Sequence, residues 1–155
     1  MSGTLAPMKR GGTGLLVGAT AIAAPLALAL ESAVRWLLFP AEFEVVRGWL
    51  EPFLTPLAWL LAVVTVIAGA AGFALQRGLV ARKLAKLGAS SAAQREAART
   101  QVFLITASIP QLPAIASTFA LMFGASLVPT LVGVTICTVS VLAQGVALRS
   151  SAADA

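Results

Sequence analysis

The chain has 155 residues, of which 59% are hydrophobic and 11% charged, with mean hydropathy +0.93. Soluble domains carry roughly 25% charged residues, so a water-soluble fold is excluded. There is no His, no Tyr and a single Cys, which excludes His-ligated haem or metal, a His proton relay, a CxxC redox pair and an internal disulfide.

The first apolar run, residues 13–38, follows Lys9 and Arg10. Lys9-Arg10, the stretch Leu15 to Leu30 and Ala27-Leu28-Ala29 imitate a secretory signal and its small-residue cleavage site. The apolar stretch is at the long limit for such a signal, so it is expected to be retained as the first transmembrane helix. Glu31 and Arg35 stand at i,i+4 and share a helix face. With the span starting at Thr13, a rise of about 1.5 Å per residue puts Glu31 near the outer boundary. That depth predicts an interfacial ion pair with Trp36 anchoring beside it. The alternative is a proton- or cation-coupled site at Glu31.

Residues 41–51 are too polar to span. Phe43, Val46 and Leu50 fall on one helical face, and Glu44, Arg47 and Glu51 on another. The pattern predicts a short outer interfacial helix bounded by Pro40 and Pro52, either a solvated connector or a docking surface.

The second run, 56–76, ends at Arg77. From 77 to 99 there are six basic residues (Arg77, Arg82, Lys83, Lys86, Arg95 and Arg99) against Glu96 alone, an excess equal to the net charge of +5. Val80, Leu84 and Leu87 repeat at helical spacing, predicting a basic amphipathic extension of span two along the membrane surface. Arg77, Arg82, Lys83 and Lys86 are expected to contact anionic lipid headgroups, and nucleic acid is not expected as a partner. Gly88 is a stop signal, and Ser91 with Gln94 predicts a capping box opening the next helix.

The third run, 101–123, contains Ile109-Pro110-Gln111-Leu112-Pro113. Pro110 and Pro113 leave the carbonyls of Thr106 and Ile109 without their helical donors, as Pro25 does for Ala21 in span one. Such breaks are plain kinks satisfied by neighbouring hydroxyls, or they line a substrate site in which Gln111 is the leading residue. The fourth run, 127–148, ends at Arg149.

Each run reaches the roughly 20 residues that a helix needs to cross a bilayer. The expected fold is an all-α integral membrane protein, one domain of four transmembrane helices in two hairpins. The basic segments place the N and C termini and the 77–99 loop in the cytoplasm. Trp36, Trp49 and Trp59 gather at the opposite, outer side, where interfacial Trp belts form.

Small and hydroxyl residues recur at spacings of four and three in span two (Ala58, Ala62, Thr65, Gly69, Gly72, Gln76). Span four repeats the pattern with Ser126, Thr130, Gly133, Cys137, Ser140 and Gln144. These stripes, with Gly69, Gly72, Gly133 and Cys137 as packing positions, predict close helix contact inside the bundle or between subunits.

Known four-helix families offer no match. Small multidrug transporters have a glutamate well inside the first span and an aromatic-rich pocket. Duplicated rotary-ATPase proteolipids need a mid-membrane carboxylate that spans two and four lack. Membrane-bound glutathione-type enzymes use Arg, His and Tyr clusters. The remaining side chains supply no base–nucleophile pair, so no enzyme and no cofactor or metal are expected. The leading expectation is a non-catalytic accessory or assembly subunit of a bacterial-type inner membrane, packing with itself or other membrane proteins. The alternative is a small transporter or channel using Glu31, Gln111 and the proline breaks.

Overall fold

The computed structural model describes residues 10–88 and 91–153, with side chains over 14–88 and 91–150. Four helices follow in chain order: α1 (Arg10–Leu38), α2 (Phe43–Leu87), α3 (Ala92–Phe123) and α4 (Leu127–Ala153). All four are long and apolar enough to cross a membrane, which makes this a multi-pass membrane protein. The stretch before Arg10, including Lys9, lies outside the described residues.

The helices alternate in direction, as residue pairs between them show. Between α2 and α4, Thr55 meets Ser126, Ala62 meets Gly133 and Gly69 meets Ser140. The register is constant and the two helices are parallel. Likewise α1 runs parallel to α3, with Gln111 at Thr20 and Thr118 at Glu31. Against α4, α1 is antiparallel, since Gly14 meets Arg149 and Gly145 meets Val17.

The pairing differs from two sequential hairpins. α3 packs on α2 and α4, but α1 packs on α3 and α4 and, among the described residues, not on α2. The α3–α4 pair is therefore central, with α1 and α2 on its flanks. Between α1, α3 and α4 lies an apolar cluster that includes Val17, Ala24, Phe103, Val141 and Leu148. A smaller one joins Ala58 of α2 to Ala120 and Ala125.

α2 corrects a second expectation. Residues 43–51 are not a separate short helix ended by Pro52. They form the first part of one 45-residue helix with Pro52 and Pro56 inside it. A proline removes the bond to the carbonyl four residues back, so the gaps fall at Gly48 and Pro52 and adjoin on one face. Both prolines are exposed, so the missing bonds lie away from the packed side. At 1.5 Å per residue α2 is about 67 Å long, over twice the hydrocarbon thickness.

The 77–99 region is helical on either side of Gly88, as the spacing of Val80, Leu84 and Leu87 and the Ser91 cap predict. The tail of α2 and the first turns of α3 form a helical hairpin. Lys83 Nζ donates to Gln101 Oε1 at 2.5 Å, and Arg95 donates to the carbonyl of Gly88 at 2.9 Å. Gly88 takes a positive φ of 53° at the end of α2. The predicted capping box is present, with Ser91 and Gln94 each accepting from the other's backbone N–H.

Candidate functional site

The polar residues of this molecule sort into three levels along the bundle. At the end of the bundle that holds the α1–α2 connection, the Arg35 side chain reaches Glu44 at 3.0 Å, and Glu44 also accepts from Arg47 at 2.7 Å. Arg47 donates across to the carbonyl of Leu121 in the last turn of α3, at 3.2 Å. A cation at a helix C-terminus satisfies an orphan carbonyl and opposes the negative end of the macrodipole. The contact is tight. Gly124, at φ 133°, follows α3 and leaves room for the Arg47 backbone, whose carbonyl oxygen would stand 2.6 Å from an added Cβ. Thr55 Oγ1 accepts from the Ser126 N–H at 3.0 Å, tying the same turn to α2.

This arrangement corrects the expected Glu31–Arg35 pair. Arg35 turns to Glu44, while Glu31 faces α3 beside the Thr118 hydroxyl, with its Oε2 buried and unpartnered. It also moves Arg47 off the solvated face, since Arg47 is buried. The sequence does hold a signal for this. Arg47 stands eleven positions before Ala58, three helical turns, and continues the small-residue stripe backward once Pro52 is allowed inside the helix.

In the middle of the bundle, the stripes of α2 and α4 face one another in an internal seam. Gly69 lies against the Ser140 side chain. Gly133 lies against Ser117 Oγ and the Ala62 backbone, and Cys137 is 1% exposed. Gly72 faces two polar groups at once: an added Cβ would stand 2.9 Å from the Thr106 carbonyl and 3.0 Å from Gln144 Nε2. The Thr106 carbonyl is the one that Pro110 deprives of its donor, and Gly72 makes the space it occupies. α3 continues unbroken through Pro110 and Pro113. Gln111 donates its amide to the carbonyl of Thr20 at 2.8 Å, joining α3 to α1. Thr20 and Glu31 are eleven positions apart on α1, about 16 Å of axial rise, so Gln111 and Glu31 do not share a site.

The third level is at the basic end, where Gln76 Nε2 donates to the backbone carbonyl of Gln144 at 3.0 Å. Gln76 Oε1 and both side-chain polar atoms of Gln144 are buried without partners. Beside Gln76 a cavity of about 420 Å³ opens between α2, α3 and α4. Gln76, Arg77 and Arg99 line it together with Phe73, Val80 and Leu148. The Arg77 guanidinium sits 4.5 Å over the Phe73 ring, and Arg99 Nε is buried without a hydrogen-bond partner. Of the expected headgroup residues, Arg77 joins this cavity. Arg82 and Lys86 are exposed along the hairpin, and Lys83 is partly buried against Gln101. Arg99 was not singled out by sequence because in a helical wheel of the hairpin it is one base among six. Only the fold brings it to the same cavity as Arg77.

Among the described residues, no group of three or more metal-ligating side chains gathers. No protein-family model matches the chain, and neither a curated protein nor a solved structure matches it.

Proposed function

We propose that this is a non-catalytic accessory or assembly subunit, a four-helix scaffold that packs with other membrane proteins or with copies of itself in a bacterial-type inner membrane. In this reading the basic hairpin and both termini lie on the cytoplasmic side and residues 41–51 at the outer interface, following the charge asymmetry. The observation that supports it best is the use of Gln111. The amide that a transport path through α3 would need is held by the Thr20 carbonyl at 2.8 Å. Arg47, Gln76 and Thr130 likewise donate to backbone carbonyls of neighbouring helices. Interior polar groups that bond helix to helix fit a scaffold.

One observation favours a transporter instead: Glu31 presents a buried, unpartnered carboxylate oxygen between α1 and α3. Two measurements separate the readings. Photo-crosslinking residues placed at Leu60 and Ile67, both on the exposed face of α2, should give a discrete adduct with a second membrane polypeptide or a second copy. Adducts to lipid alone from both positions contradict the scaffold. In proteoliposomes, Glu31→Gln and Gln111→Ala should leave ion and solute fluxes unchanged. A flux abolished by either variant in a folded protein establishes the transport reading in its place.

A further inference from the structure

The basic-end cavity has a chemistry that helix packing does not require. Gln76 closes the apolar run 56–76, Arg99 stands just before 101–123, and Leu148 closes 127–148. The cavity they share therefore opens at the level where hydrocarbon gives way to headgroups. Its walls are of two kinds. Arg77 and Arg99 are basic residues from two helices, while Phe73, Val80 and Leu148 are apolar. A third lining residue is Gln76, only 4% exposed. Its Nε2 is engaged by the Gln144 carbonyl and its Oε1 is buried without a partner. A buried polar atom left unpaired costs free energy unless a ligand or water completes it. Arg99, another lining residue, carries a second such atom in its Nε.

We propose that this cavity is a binding site for a phosphate oxyanion that carries a hydroxyl or other hydrogen-bond donor close by. Arg77 and Arg99 hold the oxyanion, and Gln76 Oε1 accepts from the donor. Two guanidinium forks from different helices are suited to a phosphate, whose oxygens accept several charge-assisted bonds. The acceptor at Gln76 selects against a bare, fully deprotonated anion. The apolar wall adjoining the arginines fits the glycerol backbone and first methylenes of a lipid, so a phosphodiester lipid with a hydroxylated headgroup has the matching chemistry. A soluble phosphate ester shares the headgroup chemistry but leaves that wall uncovered.

The test uses the full chain purified in a neutral detergent and read by native mass spectrometry. One arm adds phosphatidylglycerol, a second adds phosphatidylcholine, and a third adds glycerol phosphate or inorganic phosphate at millimolar concentration. Wild-type protein should retain one phosphatidylglycerol in preference to phosphatidylcholine. Arg99→Gln and Arg77→Gln should each retain it about tenfold less, as expected for losing a charge-assisted contact. Arg95→Gln removes the same charge from the exposed hairpin outside the cavity and should change retention less than about twofold, because screened surface charge contributes little. Gln76→Leu should weaken phosphatidylglycerol more than phosphatidylethanol, a phosphodiester lipid whose headgroup lacks the hydroxyl. Saturable binding of glycerol phosphate, lost in the same two arginine variants, supports the oxyanion site and assigns it a soluble ester. Equal retention of both lipids by the wild type overturns the proposal without any variant. So does an Arg95→Gln loss as large as that of Arg99→Gln. The outcome is independent of whether a protein partner is found by crosslinking.

Discussion

At the residue scale, close helix approach rests on a few positions whose neighbours cannot move. At Gly72 the obstacle to a side chain is backbone, the Thr106 carbonyl, with Gln144 beside it. Around Gly18 and Gly78 nothing lies within 4 Å of an added Cβ. Gly72→Ala should therefore lower stability in detergent, by about 1–3 kcal/mol as overpacking does. Gly18→Ala should be neutral or stabilising by up to about 1 kcal/mol through helix propensity. Thermal unfolding of the two variants side by side checks this. Arg47→Ala removes the donor to Leu121 and strips Glu44 of its closer cation. It should cost about 1–3 kcal/mol in the same assay, with Arg82→Ala as the silent surface control. The glycine and hydroxyl stripes were legible in the sequence because small residues at spacings of four and three have few other causes in a lipid-facing helix. The role of Arg47 was hidden by the prolines that follow it. A charged residue in a polar segment reads as solvated until the helix is known to continue.

At the scale of elements, four helices were legible because runs of apolar residues of spanning length have one structural solution in lipid. The turn chemistry at Ser91–Gln94 was legible for an equally local reason. What failed was the reading of Pro52 as a terminator. Proline ends a helix when the lost bond is buried, yet Pro52 and Pro56, four apart, place both gaps on one exposed face. Pairing of helices was also illegible. Chain order suggests α1 with α2, but the stripes of α2 and α4 direct these two parallel helices together and leave α1 to α3 and α4. Ser91→Ala should cost about 1 kcal/mol of local helix stability. Because the cap lies in an exposed hairpin, the effect should appear as faster hydrogen exchange over residues 92–95 with little change in global unfolding. Slowed or unchanged exchange there contradicts the assigned cap.

At the scale of the whole molecule, the polar groups divide by level. Arg35, Glu44 and Arg47 knit three helices at one end, and Gln111, Thr20 and Gly72 set close contacts midway. The cavity flanked by Arg77 and Arg99 opens at the other end. The candidate site was only partly legible, because its arginines stand 22 positions apart in sequence and come together only when α2 and α3 fold back on each other. A scaffold of the proposed topology requires the two ends to lie on opposite sides of one membrane, with the basic hairpin inside. Labelling with a membrane-impermeant maleimide tests this directly, in intact cells carrying Cys137→Ser, which removes the chain's one cysteine, with Glu42→Cys or Gln94→Cys added singly. Both substituted positions are exposed. With this topology Glu42→Cys is labelled in intact cells and Gln94→Cys only after the membrane is opened. Labelling of both from outside, or of Gln94→Cys alone, would contradict it.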